Sequence, residues 1–226
     1  MIKKVKDDLT LVYTHDDFYI LEKPAGLNFH SEGEAGFVVL AERQLNTKLY
    51  AVHRLDKVTS GLIILARNKV AAATFTQLFT DHHIDKYYLA ISDSKPKKKQ
   101  GWIKGDMSKS RRGMFKLLTS KVNPAITRFY SLSYKAGFRA FILKPYSGKT
   151  HQLRVALKSV GSPILGDTLY AGTIDKRTYL HAFALSFFWH GEKMQFRLLP
   201  DKGDEYIQLI NHQDFQAWLS PWQLDW

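Results

Sequence analysis

The chain has no cysteine among its 226 residues. That excludes disulfides, thiolate zinc sites, iron–sulfur clusters and a cysteine nucleophile, and it is compatible with a reducing compartment. Acid is the next shortage. Asp and Glu number 21 against 33 Lys and Arg, a formal balance of +12. Such a surplus puts a positive field over some face, and its usual partner is a phosphate backbone. The plain alternative is solubility through self-repulsion. Long apolar runs are missing too. The longest, residues 182–189, is far too short to span a bilayer and contains Ser186. No apolar stretch follows the lysines of residues 1–8, so no secretory signal is expected. The chain carries no Walker glycine loop, no Gly-x-Gly-x-x-Gly and no His-Glu-x-x-His, and the adjacent side chains of His82 and His83 diverge. Neither nucleotide-dependent chemistry nor a metal site is expected. The reading is a cytoplasmic protein.

What is present is ordinary globular stock, 45% hydrophobic and 24% charged, long enough to bury a core unaided. Short β-like runs alternate with a few helical ones. Residues 18–21 read as a strand stopped by Lys23-Pro24-Ala25-Gly26. Residues 37–49 show helical spacing, 51–55 look β-like, and 62–66 suit a buried strand after the turn Thr59-Ser60-Gly61. Asn68 is placed to cap the next helix. Strands follow over 87–92, 101–105, 125–134 and 138–143. Residues 150–160 are predicted helical, capped by Thr150 and stopped by Gly161. Two strands, 181–189 and 193–198, pair through His190-Gly191-Glu192, and Asn211 is predicted to cap a last helix. Strands outnumber helices and are mostly joined as hairpins. An α+β fold with a largely antiparallel sheet follows, as one domain over residues 1–226.

Positive charge concentrates in residues 95–116, where Lys97, Lys98, Lys99, Arg111 and Arg112 stand among nine cations and Asp106 is the one acid. Trp102, Met107, Met114 and Phe115 are interleaved with them. Cations with aromatic faces suit an arm that tracks phosphates and stacks on bases. A solvated loop is the plain alternative.

Candidate chemistry lies at two places. Asp56 follows His53-Arg54-Leu55 and precedes Lys57, so neighbouring cations favour its ionised form. An ionised, positioned carboxylate can act as nucleophile or base; the alternative is an Asx-turn. The second place is Gly148-Lys149-Thr150-His151-Gln152-Leu153-Arg154, a helix start suited to an anion. Arg154 sits where the helix dipole disfavours a cation, so a carboxylate such as Asp56 is one partner and solvent the other alternative. Of the adjacent Tyr87 and Tyr88 in a strand, only one can face a given pocket.

The ordered blocks resemble the RluA family of RNA pseudouridine synthases. His53-Arg54-Leu55-Asp56-Lys57-Val58-Thr59-Ser60-Gly61-Leu62 is similar to the family signature. Lys23-Pro24-Ala25-Gly26-Leu27, Lys86-Tyr87-Tyr88-Leu89-Ala90, Leu143-Lys144-Pro145 with the 148–155 block, Pro163-Ile164-Leu165-Gly166-Asp167 and Leu180-His181-Ala182 match further blocks in order. The departure is Lys149, where the family usually has Arg. The resemblance implies a mixed, mostly antiparallel sheet split by a catalytic cleft and flanked by helices. It implies isomerisation of a uridine in rRNA or tRNA, with no cofactor and no metal, and a monomer without an S4 domain is expected. Asp56 would act at C1′, as nucleophile or as base toward the 2′ proton. Arg154 would hold Asp56, and Tyr88 would stack on the flipped base. Arg54 would fill the gap that the base leaves. Lys149, Thr150, His151 and Gln152 would join the basic segment in gripping substrate. A non-catalytic RNA-binding protein and a metal-dependent nuclease are the rivals. The first needs no ionised Asp56, and the second needs several carboxylates around a cation.

Overall fold

Residues 9–226 are described in this structure, a computed structural model. The signal-peptide reading of residues 1–8 lies outside them. Two compact units make up the chain, Met1–Asp81 and His82–Trp226.

In the first unit, β1 (Leu11–Thr14) pairs with β2 (Phe18–Lys23), and β2 and the short β3 (Tyr50–Ala51) both pair with β4 (Ser60–Ala66). All three pairings are antiparallel. Every residue of β4 is buried, which is why it reads as a continuous apolar run rather than an alternating one. The helix α1 (Phe37–Leu45) ends at Asn46, whose left-handed backbone stops it short of the expected residue 49. Leu49 is instead buried in the following loop, where its N–H donates to Glu42 Oε1 at 2.9 Å. The helix α2 (Lys69–Thr80) starts where predicted, Asn68 Oδ1 accepting from Ala71 N at 2.8 Å. Phe75 of α2 meets Phe18 of β2 edge-on at 5.2 Å, fastening helix to sheet. The expected strand over 51–55 is reduced to β3. His53 explains why: its ring Nε2 accepts from Ile64 N of β4 at 2.9 Å, so a side chain takes up a sheet N–H in that stretch.

In the second unit, β5 (Asp85–Ser92) lies between β10 (Phe138–Pro145) and β11 (Leu180–Trp189). β9 (Ala125–Lys135) pairs with β10, β6 (Gln100–Gly105) with β9, and β12 (Glu192–Arg197) with β11. Each pairing is antiparallel, as the hairpin-rich sequence predicts. His190 and Gly191 both take positive φ, 49° and 88°, the backbone of a tight two-residue hairpin. A separate two-stranded hairpin joins β7 (Met107–Lys109) to β8 (Phe115–Leu117). The helix α3 (Gln152–Ser159) packs Leu153, Ala156 and Leu157 into a core with Leu89, Phe129 and Leu143.

Two helix expectations change here. α3 starts at Gln152, with left-handed His151 at its N-cap and no side-chain cap bond, so Thr150 is not the cap. Asn211 ends a short helix, α4 (Asp204–Ile210), instead of starting one; the turn after it, Gln213–Trp218, is capped by His212. No helix among the described residues is long and apolar enough to cross a membrane.

Candidate active site

In the first unit, Asp56 opens a turn closed by Thr59 N donating to Asp56 O at 3.0 Å. The turn is pinned from below. The Lys23 ammonium is fully buried and donates to the carbonyls of Pro24 (2.9 Å), Lys57 (3.2 Å) and Thr59 (2.9 Å). An ammonium has three protons to give, and each of these three oxygens can take one. Gly26 N also donates to Lys57 O at 2.8 Å. The Lys23-Pro24-Ala25-Gly26 block is therefore more than a plain turn: it is the bed on which the Asp56 turn rests. Asp56 is half-buried, Leu55 is buried beside it, and Arg54 is exposed. His53 is stacked on Phe79 of α2 at 4.6 Å.

In the second unit, strand alternation separates the two tyrosines as expected. Tyr87 is 1% exposed and its hydroxyl donates to Asp85 Oδ2 at 3.3 Å. Burial, with the adjacent Asp85 charge, pushes the Tyr87 phenol well above its usual range. Tyr88 is half-buried between Ala182 and Leu143 in the neighbouring strands and packs against the core. Burial lowers the Lys86 ammonium below its usual range, opposed by the charge of Asp85.

Arg154 is 5% exposed, which rules out the solvent-reaching alternative. Its Nε and Nη2 donate to the two carboxylate oxygens of Asp167, each at 2.7 Å. Asp167 is itself 2% exposed. A guanidinium carries five N–H donors, so this fork leaves capacity for a second acceptor. The block around Asp167 is set by glycine. Gly166 has φ of 78°, and a Cβ there would stand 1.8 Å from the carbonyl oxygen of Arg177.

The fully buried Tyr170 ties this region to the basic hairpin. Its ring lies 4.8 Å from the Arg154 guanidinium carbon, and its hydroxyl accepts from Phe115 N at 3.0 Å. The same hydroxyl is 2.8 Å from His151 Nδ1, to which it has its own proton to give. Gln152 faces inward. Its amide accepts from Ser147 Oγ and Lys149 N and donates to Ile126 O and Thr127 Oγ1, which fixes the 147–152 loop. Thr150 is exposed, and Lys149 Nζ donates to Asn123 Oδ1 at 2.8 Å.

The basic segment is part loop and part strand: residues 95–99 are irregular, and β6 and the β7–β8 hairpin follow. Lys97, Lys98 and Lys99 are exposed ahead of β6, and Arg111 and Arg112 are exposed at the tip of the β7–β8 hairpin. Asp106 has a structural task. Its carboxylate accepts from Val122 N and Asn123 N at 3.0 and 2.8 Å, and those bonds hold it below the usual carboxylate range.

The second unit thus brings Arg154 and His151 together around Tyr170, and in the first unit Asp56 is carried by the turn that Lys23 holds. Sequence reasoning missed Lys23 as a buried cation, and Asp167 and Tyr170 as the partners of α3. The adjacent Gly166-Asp167 was the available signal for the second, since a glycine-constrained aspartate suggests a fixed carboxylate.

The family model described as RNA pseudouridylate synthase matches residues 17–159. An uncharacterized RNA pseudouridine synthase of Haemophilus influenzae is 51% identical over 217 residues, covering 94% of this chain and 97% of that protein. The ribosomal large subunit pseudouridine synthase C of Rickettsia bellii is 33% identical over 195 residues; the match covers 80% of this chain and 64% of that longer protein. Among solved structures, human RNA pseudouridylate synthase domain containing 1 aligns with a TM-score of 0.73 at 25% identity, over 89% of this chain and 86% of that one.

Proposed function

Because the chain belongs to the RluA family of RNA pseudouridine synthases, which are isomerases, we propose that it isomerises a specific uridine of structured rRNA or tRNA, with Asp56 as the residue that attacks. In this reading the two units work as one catalytic domain, as a cytoplasmic monomer without a cofactor. The base flips out, at a cost of a few kcal/mol that is least in a loop or single strand. Asp56 acts at C1′, as nucleophile or as base toward the 2′ proton. The N1–C1′ bond breaks, the uracil turns, and C5 bonds to C1′ while its proton leaves. Tyr88 stacks on the flipped base and serves as base for that last proton. Arg54, exposed beside Asp56, fills the gap in the RNA. Arg154 is the cation that the family motif assigns to Asp56.

One observation carries the reading: a half-buried aspartate whose turn is held at two carbonyls by a fully buried ammonium. A turn built only to reverse the chain needs no such support, whereas an attacking group needs a fixed position. Lys149, Thr150 and His151 complete the substrate grip, with Gln152 holding their loop. The relative acting on the large ribosomal subunit makes that RNA the first to assay. Asp56→Asn keeps the shape of the side chain and removes its charge. Release of tritium from 5-labelled uridine in RNA should fall to background in this variant, with RNA affinity retained. Turnover near wild type would reject the assignment.

A further inference from the structure

The basic segment reads as one arm in the sequence, but its aromatic members part company in the fold. Phe115 is half-buried against His151, ring centroids 5.7 Å apart. Trp102 has a different set of neighbours. It is 43% exposed on β6, a strand paired with β9 alone among the described residues. Cations crowd its ring: Lys104 Nζ lies 4.4 Å from the centroid and the Arg128 guanidinium 5.3 Å. Tyr146 lies 5.1 Å away, tilted by 45°. Trp102 and Arg128 are direct cross-strand partners, and Arg128 and Lys144 are the next pair in the row. Sheet alternation therefore places the three on one face. Lys144 is committed to Asp85 at 2.9 Å, and the exposed Asp225 lies 3.7 Å from Arg128.

An exposed indole on an edge strand is a liability unless something covers it. The surroundings say what kind of partner. An aromatic face flanked by Lys and Arg suits a nucleotide, with the base on the ring and its phosphate on the cations. The patch also continues the proposed phosphate-binding surface, since Lys97, Lys98 and Lys99 lead directly into β6. The internal bases of an A-form duplex cannot use it, because they are already stacked on each other.

We propose that Trp102, with Lys104 and Arg128, is a stacking platform for an unpaired nucleotide of the RNA, outside the residues assigned to isomerisation. The proposal rests on the reading above only in taking RNA as the ligand. The test uses the whole chain and two probes without a reacting uridine: a short oligocytidine and a long duplex of guanosine and cytidine, whose open base faces are few beside its length. Trp102→Ala should weaken oligocytidine binding by about 5- to 150-fold, the loss of one base–aromatic stack. Trp102→Phe should keep most of the affinity, and duplex binding should be the same in all three proteins. Oligocytidine should also quench indole emission in the wild type, and Trp102→Phe should abolish that quench, a readout independent of how well the Ala variant folds. Unchanged oligocytidine affinity in Trp102→Ala, or an equal loss on the duplex, would overturn the platform. Absence of turnover on uridine RNA, with the oligocytidine pattern intact, would reject the isomerase assignment and leave the platform standing.

Discussion

A guanidinium and a carboxylate both hidden from water stabilise a fold only while both are present. Arg154 and Asp167 are such a pair, 5% and 2% exposed and joined by two bonds of 2.7 Å. Removing one partner strands the other charge, which costs about 3–5 kcal/mol when it is buried. Arg154→Ala should therefore lower the urea unfolding free energy by about that much, and it should also abolish turnover. Arg154→Lys should fall between, because a point charge cannot reproduce the planar fork. A wild-type denaturation curve for the Ala variant would mean that the fork contributes nothing. The same residue shows what sequence reasoning reaches. An arginine early in a helix needs a partner, and that need was legible. The identity of Asp167 was not, because the two meet across an intervening turn whose path depends on Gly166. Lys23 was illegible for a different reason. A lysine is almost never fully buried, so nothing in a linear pattern argues for it.

At the scale of elements, alternation and capping carried the reading where they were strong. The strands of the second unit follow the apolar periods within a residue or two at their ends, and α2 begins at the asparagine expected to cap it. The failures sit where local signals are weak. α4 has seven residues, no side-chain cap and Gly203 at its start, so it left no periodic trace. Residues 106–117 resemble a charged loop because cations mask the alternation, yet beyond the expected strand β6 they form the β7–β8 hairpin. That order sharpens a prediction. Neutralising Lys97, Lys98, Lys99, Arg111 and Arg112 should weaken RNA binding evenly across sequences. The slope of log affinity against log salt should flatten by roughly 0.7–0.9 for each phosphate that these side chains no longer neutralise. An unchanged slope would show that they are merely solvated.

For the molecule as a whole, acid should be destabilising in a way traceable to one group. His181 in β11 is 0% exposed, and its Nε2–H donates to Leu198 O at 3.0 Å. Burial pushes its imidazolium pKa down to about 3, with the Arg177 charge adding to the effect and the Leu198 bond opposing it. The unfolded chain takes up that proton near pH 6.5, about the unperturbed histidine value. Between pH 6.5 and about 3 the unfolded state binds more protons, so stability falls as pH falls through that window. The slope from this group alone is about 1.4 kcal/mol per pH unit. His181→Gln should be less stable at neutral pH but lose less on acidification. Urea midpoints of both proteins between pH 6.5 and 4.5 would test this. Parallel curves would show that His181 does not titrate with unfolding.

The buried ammonium of Lys23 also has a consequence in the language of codons. One nucleotide change in a lysine codon leads to arginine, asparagine, threonine, isoleucine, methionine, glutamine, glutamate or a stop. None of these places three tetrahedrally arranged protons at the end of a flexible chain, which is what the carbonyls of Pro24, Lys57 and Thr59 receive. Arginine brings donors, but in a planar fork on a bulkier head, and none of the others has enough donors for all three carbonyls. Apart from the silent exchange between the two lysine codons, every single-step mutation here loosens the turn that carries Asp56. The expectation is a position without neutral neighbours in sequence space, although its side chain is assigned no contact with RNA.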